Sequence, residues 1–402
     1  MKSIRDLYKI GKGPSSSHTM GPARAAEIFK SENPDAERYE VVLYGSLAKT
    51  GIGHGTDRVL RDVFAPKDVQ IVFAEHDPDD LKHPNTLDLS AFTGTEKTAS
   101  IRVESIGGGD IVVEGRPGLE PPEVYPENSF AEIAQFCAWR QVSLPQYVEM
   151  NEGPEIWDFL KDIWNAMRKE IHDGLSAEGV LPGGLNVQRK AKYLFERGHQ
   201  VDIPQVRELQ QVCAYAFAAA EQNAGNGTIV TAPTCGSAGV MPALVYALRH
   251  EMFIGDRAIR EAFLASAAVG FIAKHNASIA GAEVGCQGEI GVASAMAAAF
   301  VADARGYRSR VTENAAEVAL EHHLGITCDP VQGYVQIPCI ERNAMGAIKA
   351  YNAAVITSGT DPYSQRVSLD AAIAAMAETG REMSCKFKET SLGGLAVSMV
   401  AC

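Results

Sequence analysis

Short β-rich runs open the chain. YEVVLYGSLA, VQIVFAE and ASIRVESIGGGDIVVEG carry the apolar positions of strands, and turn clusters such as HDPDD and GRPGLEPPE separate them. Helix-like text, MGPARAAEIFKSE, lies among them. The strands are too few and too separated for a barrel. From about residue 155 the period changes. IWDFLKDIWNAMRKEIHDGL places apolar residues at helical spacing. Ala-rich stretches follow: QQVCAYAFAAAEQ, AIREAFLASAAVGFIAK, GVASAMAAAFVADARG, NAMGAIKAYNAAVITSG and LDAAIAAMAETGREM. Their small residues imply closely packed helices. The pattern therefore predicts an α/β domain over residues 1–150 and a mostly helical domain over 151–402, with the Pro- and Glu-rich segment 115–155 holding the linker. No internal repeat is found.

A chain of 402 residues suggests two or three domains and can bury a sizeable core. Its net charge of −13 argues against nucleic acid and anionic membrane surfaces, which want basic patches. No apolar run is long enough to span a bilayer. The first residues, MKSIRDLYKIGKGPSSSH, lack the apolar core of a secretory signal. A soluble, cytoplasmic protein is expected. A reducing cytosol disfavours structural disulfides, so the eight cysteines need another account. Cys137 and Cys213 lie in apolar helical text and read as small buried hydrophobes.

Three other cysteines lie in loop-like text. Cys286 is in GAEVGCQGEIG, Cys328 in GITCDPVQG and Cys339 in VQIPCIERNA. Gly, Pro or Asp flanks each one, and such loops can hydrogen-bond the sulfides of a cluster. Cys402 is the last residue. The spacing is neither a zinc CxxC pattern nor a ferredoxin run. By itself it leaves a metal site and unrelated cysteines both open. A second constellation lies early in the chain. KGPSSSHTMGP puts Ser15, Ser16, Ser17 and His18 before a helix, where hydroxyls and free N–H groups suit a carboxylate or a simple N-cap. His54 lies between glycines in TGIGHGTD, and His83 in KHPNTLD beside Asn85. Histidines of this kind can act as acid or base at neutral pH. GNGTIVTAPTCGSAG lacks the Lys and Ser/Thr of a phosphate loop, and SIGGGD lacks a GxGxxG continuation. KHNASIAGAE offers Lys274, Asn276 and Ser278 just ahead of Cys286.

Over nearly its full length the chain resembles the bacterial iron–sulfur L-serine dehydratases. SSSHTMGP, YGSLAKTGIGHGTD, KHPNT and SIGGG are similar to the family's β-type part. GVLPGGLNVQRKA, TAPTCGSAG, NASIAGAEVGCQGE, GITCDPVQGYVQIPCIERNA and ETSLGGLA are similar to its α-type part. Some relatives keep these parts as separate subunits. The resemblance implies that Cys286, Cys328 and Cys339 hold three irons of a 4Fe–4S cluster, and that Cys402 occupies the fourth until serine displaces it. It implies a homodimer acting on L-serine. It also implies an N-terminal domain like the allosteric substrate-binding domain of some phosphoglycerate dehydrogenases. The open iron would polarise the β-hydroxyl as a Lewis acid. His54, then His18, then His83, are the expected bases, with Lys274 an outside candidate. Ser16, Ser17, Asn85, Asn276 and Ser278 are the expected substrate holders. Two positions depart from the family pattern: Cys235, where Asn is more usual, and Asp110, where an apolar residue is more usual. Elimination from threonine or cysteine, an iron–sulfur carrier or sensor, a zinc-structured module and a pyridoxal enzyme are the rival readings.

Overall fold

The structure of the protein is a computed structural model that describes residues 1–116 and 122–398. Strand β1 (Ile10–Lys12) is followed by a five-residue π turn, Ser16–Met20, and helix α1 (Gly21–Glu32). Strand β2 (Arg38–Leu43), short helices α2 (Gly45–Thr50) and α3 (Thr56–Phe64), and strands β3 (Asp68–Phe73), β4 (Thr86–Thr93), β5 (Glu96–Gly107) and β6 (Asp110–Val113) complete the α/β part. The last five strands form one sheet in the order β3-β2-β4-β5-β6, parallel between β2 and β3 and antiparallel elsewhere. Burial alternates along β2, so Tyr39, Val41 and Leu43 share the inner face. Tyr39 stacks on Phe64 of α3 at 4.3 Å between ring centres, and Phe29 of α1 packs beside them. The expected α/β unit is present, with a mixed sheet.

The second part is mostly helical. It runs through α4 (Phe130–Arg140), α5 (Leu144–Glu152), α6 (Ile156–Ser176), α7 (Ala191–Gly198), α8 (Pro204–Ala224) and strand β7 (Thr228–Val230). It continues with α9 (Val240–His250), α10 (Asp256–Asn276), α11 (Gly281–Val284), a second π turn at Gln287–Gly291, α12 (Val292–Ala304) and α13 (Ser309–Glu321). It ends with α14 (Cys339–Ser358), α15 (Leu369–Glu382) and α16 (Leu395–Ser398). Every residue of α12 except Asp303 is buried, and α9, α10, α13 and α14 surround it. A helix apolar on all sides belongs in a core. Small residues let its neighbours close in: a Cβ at Gly270 of α10 would lie 2.6 Å from Leu7 and 2.7 Å from Met296. No helix among the described residues is long and apolar enough to cross a membrane.

The packing changes over before residue 150. One hydrophobic cluster spans Ala25 to Val113, and a larger one holds the helices together with Tyr125, Phe130, Leu144 and Tyr147. Helices α4 and α5, which the sequence pattern assigned to the first domain, therefore pack with the second. So do Met1, Ile4, Leu7 and Tyr8. Strand β1 pairs antiparallel with β7, Ile10 opposite Val230. The α/β sheet thus departs from and returns to the helical body. Cys137 is buried and Cys213 half-buried against that body, in keeping with their apolar context.

Candidate active site

Three cysteines from three chain segments line one small cavity. Gly285 ends α11 with a φ of 73°, which turns the chain and sets Cys286 at the start of the second π turn. Cys328 is pinned by its backbone: its N–H donates to the Phe387 carbonyl, and the Glu389 N–H donates to the Cys328 carbonyl, both at 2.7 Å. Cys339 is the first residue of α14. The Cys286 and Cys328 sulfurs and a Glu289 oxygen all lie within 4.8 Å of one another. One turn beyond Cys339, Arg342 donates to the Thr327 carbonyl at 2.7 Å and to Asp329 at 3.0 Å, which ties the Cys328 loop to α14.

This environment sorts the thiols. A hydrogen bond from Cys328, helped by the charge of Arg342, outweighs burial and holds Cys286 down at about 7. Donating that bond and being buried push Cys328 well up, and burial does the same to Cys339. Burial and the neighbouring Cys286 and Glu389 push the Glu289 carboxyl far above its ordinary range, and Thr234 donates to it at 2.7 Å. Glycines make the room. A Cβ at Gly281 would lie 3.1 Å from the Cys328 sulfur and 2.9 Å from Glu289, and one at Gly236 2.9 Å from Glu289. The donor set is three soft thiols crowded around a glycine-walled space, with a guanidinium to offset their charge. That chemistry fits an iron–sulfur cluster better than a hard cation.

The α/β part supplies the opposite wall. The first π turn brings His18 inward, and its N-cap Ser15 accepts the His18 N–H at 3.0 Å. Ser46 and Thr50 donate their hydroxyl protons to the Glu389 and Ser46 carbonyls, so they accept from His18 Nε2, at 3.1 and 3.0 Å. Nδ1 then accepts from Ser17 at 3.0 Å. Both nitrogens of His18 are engaged. Burial outweighs the nearby Glu389 carboxylate and lowers its pKa to about 4. His54 stacks on it at 4.4 Å. Its Nδ1 donates to the Thr50 carbonyl at 2.9 Å, which leaves Nε2 facing Glu389 Oε1 at 3.3 Å. A bare imidazole nitrogen and a carboxylate oxygen would both be acceptors, so one proton lies between them. Burial pushes the Glu389 carboxyl up, but the facing His18 and His54 rings outweigh it and hold it below its ordinary value. Glu389 holds a φ of 56°, a costly conformation outside glycine, and its Oε2 is buried with no hydrogen-bond partner.

His18 carries a stability consequence. An unfolded histidine titrates near 6.5, the buried one at about 4. Between those values the unfolded chain binds the proton and the folded chain does not. Stability is therefore expected to fall as pH drops through that window, by at most about 3 kcal/mol from this residue. Chemical denaturation of the parent and of His18→Gln at pH 7 and pH 4.5 checks it: the parent should lose more on acidification.

The remaining expected site residues divide. Ser16 and Ser17 are buried in the π turn, and Ser15 and His54 line the cysteine cavity. His83 accepts the Asn85 N–H at Nδ1 (3.0 Å), so its proton is on Nε2, 3.3 Å from Glu283 of α11; Ser278 donates to the other Glu283 oxygen. These form a bridge to the Cys286 loop, and none of them lines the cavity. Asn85 donates to the Ser105 carbonyl at 3.4 Å. Lys274 is held by Asp110 and by the Asp6 carbonyl at 3.0 Å, and Asn276 donates to the Asn128 carbonyl at 2.7 Å; neither reaches the cavity. Asp110 is nearly buried between Lys9 and Lys274, with Arg24 at 3.6 Å. An acid there clasps the sheet to the helices. Cys235 is buried 3.4 Å from the Met20 sulfur and does not line the cavity. Cys402 lies outside the described residues. Glu389, Glu289 and Arg342 were not singled out from sequence. Arg342, one helical turn after a cysteine, was the signal open to reading.

The serine dehydratase alpha chain family model matches residues 82–396, and the serine dehydratase beta chain model residues 3–62. The chain belongs to the serine dehydratase family. It is 40% identical to the L-serine dehydratase TdcG of Escherichia coli, with all of both chains covered. It is 37% identical to an L-serine dehydratase of Streptomyces coelicolor, covering 100% of this chain and 99% of that one. The corresponding protein of Helicobacter pylori is 36% identical, with 99% of each covered.

Proposed function

We propose that the chain converts L-serine to pyruvate and ammonia by eliminating water. The observation that carries this reading is the meeting of three thiols with the His54–Glu389 pair at one enclosed cavity. Cys286, Cys328 and Cys339 would hold a 4Fe–4S cluster. When bound, that cluster supplies a Lewis-acidic iron to weaken the bond to the β-hydroxyl.

The chain's own groups do the rest. Serine's α-proton goes to His54 Nε2, the one ring nitrogen of the two histidines not committed to the scaffold. Glu389 holds the ring in place and stabilises the imidazolium that results. Serine's ammonium is attracted to the unpartnered Glu389 Oε2. The β-hydroxyl departs as hydroxide and takes from His54 Nε2 the proton removed from the α-carbon, leaving as water and resetting the ring, and the aminoacrylate product hydrolyses to pyruvate and ammonia. The walls around His54 and Cys339 keep bulk water from the α-carbon. The same family reading carries a homodimer, a cytoplasmic location and an N-terminal part related to the allosteric substrate-binding domain of phosphoglycerate dehydrogenases.

The test is pyruvate formation from L-serine by anaerobically iron-reconstituted protein, before and after air. Turnover that disappears in air and returns with iron supports the reading. Turnover by metal-free protein would overturn it. Glu389→Gln is expected to lower kcat about 10–100-fold with an unchanged cluster spectrum. A loss confined to KM would instead limit Glu389 to binding.

A further inference from the structure

An open groove of about 400 Å³ lies between the middle of α6, the end of α9 and the start of α10, and shares no lining residue with the cysteine cavity. Lys161, Arg168, Arg249 and Arg260 line it, and its one acid is Asp256. Lys161, Trp164 and Arg168 stand on one face of α6 at helical spacing. Asp256 pairs with Arg249 at 2.7 Å. Among the described residues, the side chains of Lys161 and Arg168 have no ion pair or hydrogen bond, and Arg260 meets only the Trp157 ring, at 5.9 Å. Four cations against one carboxylate leave the groove at +3, in a chain whose net charge is −13. The field reaches His250 on the groove wall. After burial, Arg249 and Arg168 are the charges that depress its protonation.

Two further features point to a ligand. Helix α10 starts at Asp256 on the wall, and its N-cap Gly255 offers no side-chain oxygen. Its first-turn N–H groups are left for water or an anion. An aromatic surface lies beside the cations: His250 rests 4.2 Å from Tyr246 and 6.2 Å from Trp164, nearly parallel to the latter at 30°. Guanidinium groups converging from separate helices suit a tetrahedral dianion better than a single planar carboxylate. The groove is of small-ligand size. The acidic remainder of the chain repels a polyanion such as RNA.

We propose that this groove binds the phosphate of a small phosphorylated metabolite, with the organic part against Trp164. Equilibrium dialysis of the full chain against AMP, glycerol 3-phosphate and pyrophosphate, at fixed ionic strength, tests it. Saturable binding of at least one probe is expected, weakened tenfold or more in Arg168→Gln and in Lys161→Gln. Both side chains are exposed and bond to nothing, so these variants should fold. Tryptophan fluorescence should change on binding in the parent and not in Trp164→Phe. AMP bound more tightly than glycerol 3-phosphate would identify a nucleotide, and equal binding an aliphatic phosphate. Absence of binding by all three probes would overturn the proposal. So would binding indifferent to both substitutions, or an RNA oligomer that binds through these residues while the small phosphates do not.

Discussion

Replacing His54 by asparagine should lower turnover of L-serine by about 10²–10⁴-fold, the usual worth of a positioned base, while iron content and visible spectrum stay unchanged. The reason lies in the proton pattern. His18 is buried beside it, yet its Nδ1 accepts from Ser17 and its Nε2 donates to Ser46 and Thr50. His83 accepts the Asn85 N–H at Nδ1, has Nε2 3.3 Å from Glu283, and does not line the cavity. Only His54 presents a nitrogen, Nε2, whose partner Glu389 can receive charge from substrate instead. Asparagine keeps a donor near the Thr50 carbonyl and removes the base. Parental turnover in this variant would transfer proton removal to another group. A lost cluster spectrum would mean that the ring supports the cavity rather than the chemistry.

Cys328→Ser should abolish both the cluster's visible absorbance and turnover. Serine nearly matches cysteine in size, and the backbone bonds on either side of residue 328 need no side chain. The fold should survive while a soft ligand is replaced by a hard, protonated one. Cys235→Ser and Cys213→Ser, whose sulfurs lie apart from the cavity, are the contrasting cases: both should keep the absorbance. Full iron loading of Cys328→Ser would remove this residue from the ligand set.

The sequence pattern carried the class of each half, because strand and helix periods are local. Tyr39, Val41 and Leu43 take every second position of β2, whereas α12 is apolar almost all round. The cysteines were legible from their glycine and proline surroundings. The core membership of Met1–Tyr8 was not, because their partners are helices more than a hundred residues away. Glu389 was hidden for the same reason. ETSLGG reads as a turn until its backbone pairs with Cys328 and points the carboxylate at two histidines of the other half. Lys274 and Asn276 misled through nearness in sequence. They close α10, and the chain turns before Cys286, so helix direction separates them from it. Asp110 stood out as an irregularity, and only the facing Lys9 and Lys274 explain it.

The first twelve residues give the chain an unusual seam. Met1–Tyr8 plug into the helical body and β1 is sewn to β7, although the sheet that follows has its own core. A protein divided between Arg116 and Pro122 would therefore remain interlocked, each piece gripping the other without a peptide bond. Covalent continuity at that point raises the effective concentration of the two halves, while the packing of Met1–Tyr8 and the β1–β7 pairing lie elsewhere. The active cavity, whose histidines and cysteines come from opposite sides of the seam, would form in a two-piece protein as an interface between subunits.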